Sequence, residues 1–317
     1  MARPGISLIL CCYNSAELIG DTLRHIASQQ IPVNLPWEVI LVDNNSIDNT
    51  ATIAHKVWNS LNVKDSLTLV YEPQPGLCFA RNLGFNTANY EYCLFCDDDN
   101  WLHHDYVRLA YQIMQGNDRI GVLGGLGEAV FEDQPPPWFE RVKHSYAVGP
   151  QAEKSGDVTL PRGYVFGAGA VYRKSVYFKL KEEGFDYLLT GRKGMNVTSG
   201  EDAELCYNYV LSGYTIHYSS SLKFKHFIVS QRLTLEYRKK LEASFIQSRV
   251  VLSLYRYRLF NAAVLRKRFL WLREVLSSLK KEAKSSALSQ NFRQSYSYAL
   301  LLHYFSFRKA LDYLRNS

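Results

Sequence analysis

Three consecutive carboxylates, Asp97-Asp98-Asp99, come directly after the apolar run Tyr92–Cys96. Adjacent like charges repel, so gathering them in a fold is unfavourable unless a cation or strong donors compensate. Hard divalent ions such as Mg2+ or Mn2+ take oxygen ligands and are commonly held by one or two carboxylates plus substrate phosphates. Metal–phosphate binding is one reading of the run. Capping is the other, with Asp99 or Asn100 opening the helix expected near 103. Polar groups also end other apolar runs, at Tyr13-Asn14, Asp43-Asn44-Asn45 and Glu72-Pro73. Arg81 follows Pro75-Gly76 at a helix start, where backbone donors favour an anion; a salt bridge to Asp43 or Asp97 is equally open. Glu201-Asp202 open a short helix after Thr198-Ser199-Gly200, a position where the helix dipole by itself stabilises acids.

These side chains need a scaffold that brings the ends of apolar runs together. Strand-length runs at Ile6–Cys12, Trp37–Asp43, Leu67–Tyr71, Tyr92–Cys96 and Ile120–Leu126 alternate with helical segments at about 16–29, 50–62, 78–88 and 103–116. Near-continuous apolar strands alternating with helices predict an α/β fold with a mostly parallel, Rossmann-like sheet covered on both faces. Ligands gather at the carboxyl ends of such strands, and those ends carry the polar groups just named. A turn and a strand are expected over Gly163–Tyr172, then a glycine- and lysine-bearing loop over 191–200, then strands at Thr215–Tyr218 and Leu222–Phe227. After Ser230 the pattern turns helical. Leu265, Phe269, Leu272, Leu276 and Leu279 step by four and three, which predicts one inward face. A last helix is expected over 292–314, with Leu300, Tyr304, Phe307, Leu311 and Leu314 inward.

With 317 residues, 47% apolar, 21% charged and 14% aromatic, the chain has material for a sizeable core, which excludes a disordered or fibrous protein. No apolar run approaches the ~18 residues of a membrane-spanning helix. Charge is uneven: residues 231–317 hold 18 basic and 5 acidic side chains, whereas the first 230 carry a net charge of −6. This predicts two parts, a domain over 1–230 and a basic helical region over 231–317. The six cysteines fall mostly in apolar runs and suit a reducing compartment, the cytoplasm. Cys93-Leu94-Phe95-Cys96 lies in a strand and has no second pair at zinc-finger spacing, so it reads as core. Arg3 followed by Ile6–Cys12 is similar to a short signal peptide, but no small-residue cleavage site follows, and the segment reads as a first buried strand.

Taken in order, Ile9-Leu10-Cys11-Cys12-Tyr13-Asn14, Val42-Asp43-Asn44-Asn45 through Asp48-Asn49-Thr50, Gly76 with Ala80-Arg81-Asn82-Leu83-Gly84, Asp97-Asp98-Asp99 and Gly200-Glu201-Asp202 resemble the successive motifs of family 2 glycosyltransferases. The likeness covers about residues 5–228. It implies the A-type glycosyltransferase fold, a nucleotide-sugar donor and inversion at the anomeric carbon. It places Tyr13 and Asn14 at the nucleotide base and Asp43 on a hydrogen bond to it. Asn44 stands where a second acid is usual, which leaves the base open. Asp48 fits a helix N-cap. The likeness puts Arg81 on the donor side, Asp97 on the ribose, Asp98 in the variable middle of the DxD motif, and Asp99 on Mn2+ or Mg2+. His226 matches a histidine that completes the metal's ligand set in many relatives; a structural histidine is the alternative. Asp202 matches the general base, with Glu201 orienting the acceptor or the neighbouring loop.

Processive relatives carry a Gln/Arg-x-x-Arg-Trp motif after the base. Ser230-Gln231-Arg232-Leu233 does not complete it, which implies transfer of single sugars. Gly167-Ala168-Gly169-Ala170 fits close backbone approach to a sugar or, equally, a tightly packed strand. The acceptor implied is a glycan or a lipid-linked glycan. The basic tail reads either as a bundle with a solvated charged face or as a peripheral contact with the anionic inner face of a membrane; nucleic acid is not an expected partner. Three other functions fit the sequence less well. A sugar nucleotidyltransferase needs a glycine-rich, Arg-bearing loop after the first strand, and Cys12–Ala16 supplies none. A non-catalytic nucleotide-sugar-binding protein is opposed by intact Asp99 and Asp202. A dinucleotide-dependent dehydrogenase lacks its GxGxxG.

Overall fold

The computed structural model describes residues 3–61, 63, 66–191, 199–284 and 295–316. In chain order the elements are β1 (Arg3–Cys12), α1 (Ile19–Ala27), β2 (Trp37–Asp43), α2 (Thr50–Ser60), β3 (Leu67–Tyr71), α3 (Leu77–Thr87), β4 (Tyr90–Cys96), β5 (Asn100–Leu102), α4 (Tyr106–Gly116), β6 (Ile120–Phe131), α5 (Phe139–Val142), β7 (Gly156–Asp157), β8 (Val171–Arg173), α6 (Lys174–Glu182), α7 (Glu201–Leu211), β9 (Thr215–Ile228), α8 (Leu235–Phe260), α9 (Leu270–Lys284), α10 (Tyr296–Leu302) and α11 (Tyr304–Asn316). They divide into two compact units. One comprises Met1–Phe185 and Leu205–Thr234, the other Asp186–Glu204 and Leu235–Ser317.

The first unit is built on a nine-stranded sheet in the order β3-β2-β1-β4-β8-β6-β9-β5, with β7 paired to β9. Strands β3, β2, β1 and β4 run parallel. Strand β8 enters antiparallel between β4 and β6, and β6 and β9 are again parallel. The sheet is mixed, its longest registers parallel, with helices on its faces. Ile6, Leu8, Leu10, Val39, Leu41 and Leu94 are fully buried, and Leu23, Val107 and Ala110 from α1 and α4 pack against them in one core. Each such aliphatic contributes about 1.5–3 kcal/mol by leaving water. Helix α3 sits close on β1 because residue 84 is glycine: a Cβ there would lie 2.6 Å from Ile9 Cγ2. Strand order reverses at β1, whose sequence successors β2 and β4 lie on opposite sides of it. The register sets Cys12 beside Asp43 and Leu10 beside Cys96, so Tyr13, Asn14, Asp43 and Asp97 emerge together at this switch point.

Several expectations are corrected. Of the turn and strand expected over 163–172, the strand is only Val171–Arg173. Gly163 and Gly169 have φ of 79° and 69°, which interrupts an extended run, and the 169 carbonyl instead accepts from Tyr106 Oη at 2.7 Å. The two late strands are one, β9. Its pairing with β6 steps from Gly124↔Tyr218 to Leu126↔Lys223, so the serines between form a bulge rather than a break. Most of the loop expected over 191–200 lies outside the described residues.

In the second unit α8 is the axis, against which α10 and α11 pack. Leu254, Tyr255, Leu300, Phe307, Leu311 and Leu314 are buried there. The inward face expected along 265–279 is wrong in its middle. Phe269, Leu272 and Leu276 are exposed, while Leu270 and Val275 are buried. Phe269 adopts φ 56°, which breaks the helical register and restarts it at Leu270. The last expected helix is two, separated at His303, and Tyr304 is 37% exposed rather than inward; positions 292–294 lie outside the described residues. No described helix is long and apolar enough to cross a membrane.

Candidate functional site

The loops after β1 and β2 are wired to each other. Asn14, in the left-handed region at φ 52°, donates its backbone N–H to Ser46 Oγ at 3.0 Å and accepts from the Ile47 N–H at 2.9 Å. Asp43 is buried at the end of β2 and accepts from the Ser46 N–H at 3.0 Å. Tyr13 stands 41% exposed beside them. Asp48 accepts from the Thr50 and Ala16 N–H groups and anchors the start of α2. Burial resists its ionisation, but these bonds hold its carboxyl below the usual range. Asn44 donates to the Glu72 and Gln74 carbonyls and accepts from the Gly76 N–H at 2.8 Å. A carboxylate could make only the last of these bonds, which explains an amide where an acid is usual. Arg81, on α3, is buried with its guanidinium 5.8 Å from the centre of the Phe95 ring.

The three aspartates after β4 separate. Asp97 is half-buried. Asp98 turns inward to accept from Ser15 Oγ, and its carbonyl accepts from Thr22 Oγ1 at 2.5 Å. Desolvation first, and the charge of Asp99 next, push its carboxyl up to about 6. Asp99 is 3% exposed, and its carbonyl accepts from the Phe227 N–H of β9 at 2.8 Å. His226 Nε2 lies 3.4 Å from Asp99 Oδ2. The other ring nitrogen, Nδ1, donates to the Tyr146 carbonyl at 2.7 Å, an assignment fixed by the carbonyl's being only an acceptor. Nε2 faces that buried carboxylate while Nδ1–H is held by a carbonyl, the arrangement in which a histidine ligates a cation. Asp99 and His226 therefore fit a divalent ion by donor chemistry.

A third group meets them. Arg232 Nη1 lies 2.7 Å from Asp99 Oδ2 and 3.3 Å from His226 Nε2. Its backbone carbonyl accepts from Tyr146 Oη at 3.0 Å, so Tyr146 braces both the histidine and the arginine. Arg232 was read from the sequence only as part of an incomplete motif; a contact across 133 positions leaves no local signal. The described residues also include a cluster of His103, His104 and Asp105. It is largely exposed, and Asp105 is engaged by His103 and Arg108.

The second unit carries Glu201 and Asp202 at the head of α7, Glu201 buried and Asp202 half-buried. Gly200, before them, has φ 104°, a conformation open to glycine. Glu204 was missed by the sequence reading, although it lies one helical turn from Glu201. It is fully buried and accepts from the Leu188 and Leu189 N–H groups, the latter at 2.9 Å, and from Tyr255 Oη at 3.0 Å. Desolvation outweighs these donors and pushes its carboxyl up to about 7.

The family model of glycosyl transferase family 2 matches residues 7–180. Among curated proteins, poly-beta-1,6-N-acetyl-D-glucosamine synthase of Staphylococcus epidermidis is 31% identical over 121 residues, which is 38% of this chain and 28% of that protein. Chondroitin synthase of Escherichia coli is 27% identical over 142 residues, 45% of this chain and 19% of that one. The matched segments thus span less than a third of these relatives. Among solved structures, a mannosyltransferase from Pyrobaculum calidifontis in complex with GDP-Man and Mn2+ superposes with a TM-score of 0.57 at 17% identity, covering 96% of this chain and 87% of that one. S. aureus TarS 1-349 in complex with UDP-GlcNAc gives 0.54 at 18% identity, covering 98% and 92%. These two likenesses show the A-type fold. With the family model matched over more than half its length, from the first strand through the DxD run to α6, the chain belongs to glycosyl transferase family 2.

Proposed function

We propose that the protein is an inverting, metal-dependent, non-processive glycosyltransferase that moves a sugar from a nucleotide-sugar donor to a glycan or lipid-linked acceptor. The observation that carries this reading is the Asp99–His226 pair, buried beside the switch point with the imidazole Nε2 facing the carboxylate. The solved neighbours bound to UDP-GlcNAc and GDP-Man support a nucleoside diphosphate sugar and leave the base open.

In this reading Tyr13, Asn14 and Asp43 receive the base, Asp97 the ribose, and Arg81 and Asp98 serve the donor side. Asp99 and His226 hold Mn2+ or Mg2+. The bound cation supplies neutralisation of the charge that develops on the leaving diphosphate. Asp202 accepts the proton of the acceptor hydroxyl as that oxygen attacks the anomeric carbon, and Glu201 orients the acceptor. One base on the attacking side gives inversion. The acceptor is met at the cytoplasmic face of an anionic membrane touched by the basic helices of 231–317; nucleic acid is not a partner.

The test is Asp202→Asn, which keeps the shape and removes the base. Turnover with a nucleotide-sugar should fall about 10³-fold, in the range typical of a positioned general base, while nucleotide affinity measured by calorimetry stays at the wild-type value. Retained turnover would remove Asp202 from the mechanism, and loss of both properties would make it a donor-site or structural residue.

A further inference from the structure

Helix α9 presents a side that the fold does not use. At about 100° per residue, Leu272, Arg273, Leu276 and Lys280 share one side, opposite Trp271, Val275 and Ser278. The opposite side is anchored: Trp271 Nε1 donates to the Leu300 carbonyl at 2.9 Å, its ring packs edge-on against Tyr304 at 4.9 Å, and Val275 and Ser278 are buried. The free side holds Leu272 at 46% and Leu276 at 51% exposure, and Phe269 stands 75% exposed at the helix head. The left-handed backbone of Phe269 is costly for a bulky residue; a strained residue with its ring in water points to a use for that ring.

Charge selects the partner. Arg266, Lys267 and Arg268 precede the helix, Arg273 and Lys280 flank the two leucines, and all five are exposed. The two nearby acids are turned to neighbours: Glu274 accepts from Tyr257 Oη at 2.9 Å, and Glu282 from Ser278 Oγ at 3.0 Å. Apolar side chains rimmed by Lys and Arg are the signature of a helix lying in the headgroup region of an anionic bilayer. A second copy of this chain is disfavoured as occupant, because it brings the same excess of positive charge. Resting on the reading above that the basic helices meet a membrane, we propose that this one face of α9 is the contact. Phe269, Leu272 and Leu276 enter the headgroup–acyl boundary, while Arg266, Lys267, Arg268, Arg273 and Lys280 engage anionic headgroups.

The full chain is sedimented with vesicles of equimolar phosphatidylglycerol and phosphatidylcholine, and with phosphatidylcholine alone. Wild type should pellet with the first and not the second. Phe269→Gly and the double variant Leu272→Ser/Leu276→Ser should each lower the partition coefficient about tenfold. Arg273→Glu/Lys280→Glu should do so by a similar factor, as expected for two charges near the surface. Phe269→Gly should melt no lower than wild type, since glycine relieves the backbone; this separates a lipid-facing ring from a packed one. If wild type binds the anionic vesicles and these variants bind as well as it does, another face makes the contact, and the inference fails while the membrane reading stands. If wild type binds neither vesicle, both fail. A lipid-free dimer in sedimentation velocity that Phe269→Gly dissolves would overturn the proposal in favour of self-association.

Discussion

Each of the two units buries a carboxylate, and they solve the problem in opposite ways. Asp99 is met by a guanidinium at 2.7 Å, which answers charge with charge, beside an imidazole at 3.4 Å. Glu204 accepts from two amides and a phenol, neutral dipoles that the desolvation of its charge outweighs. A carboxylate held by cations can exchange one cation for another without losing its own charge. A carboxylate held by neutral donors near the middle of the pH scale exchanges a proton instead. The first arrangement suits ligand chemistry, and the second suits the fixing of a turn, here the chain at 188–189 against α8.

The contrast is sharpest in pH dependence. Glu204 has its folded pKa raised to about 7 from 4.5, so the folded state binds the proton more tightly than the unfolded one. Its stabilising contribution is fully present below about pH 4.5 and is lost as the pH rises through 7. The linked change is on the order of 3 kcal/mol between the two limits. Melting temperature measured across this window should fall with rising pH, and Glu204→Gln should flatten the curve. An unchanged slope in the variant would mean that Glu204 is compensated as fully as Asp99, and the contrast would collapse.

On the other side, Asp99→Asn keeps the volume and the hydrogen-bonding oxygen but removes the charge. The gain in nucleotide affinity on adding Mn2+ should drop by about thirtyfold, within the range for damage to a metal site, as read by calorimetry with and without the ion. A full metal response in Asp99→Asn would dissociate the buried pair from cation binding.

The sequence was most legible where its physics is local. Strand-length apolar runs are a local signal, so Trp37–Asp43 in the buried sheet and Leu67–Tyr71 at its exposed edge were both read to the residue, and the polar residues that end them followed. Legibility failed where one backbone angle redirected a pattern. At Phe269 a left-handed residue moved Leu272 and Leu276 from an expected core to the surface, and at Gly163 and Gly169 positive φ left the strand expected after a turn only three residues long. The position of Asp97–Asp99 after β4 followed from the apolar run Tyr92–Cys96, whereas His226 was singled out by family likeness. That Asn44 ties its own loop to the loop at 72–76, and that Tyr146 holds both His226 and Arg232, depends on chain segments far apart in sequence. No window of residues contains such information.

Arg232 gives the finest division between the two kinds of carboxylate. Its Nη1 approaches the same two atoms, Asp99 Oδ2 and His226 Nε2, that suit a divalent ion. If the guanidinium and the ion compete for the Asp99 charge, Arg232→Gln should bind Mn2+ about fivefold more tightly, because the variant keeps a hydrogen-bond donor but removes the rival cation. The same variant should melt lower than wild type without the ion, since a buried carboxylate has lost its counter-charge, and addition of Mn2+ should restore more of its stability than in wild type. Weaker Mn2+ binding in Arg232→Gln would reverse the assignment: the arginine would then orient Asp99 for the ion rather than compete with it. In either case the carboxylate of this unit answers to cations, whereas the Glu204 carboxylate, which accepts from two amides and a phenol, should show no Mn2+ effect on its pH window.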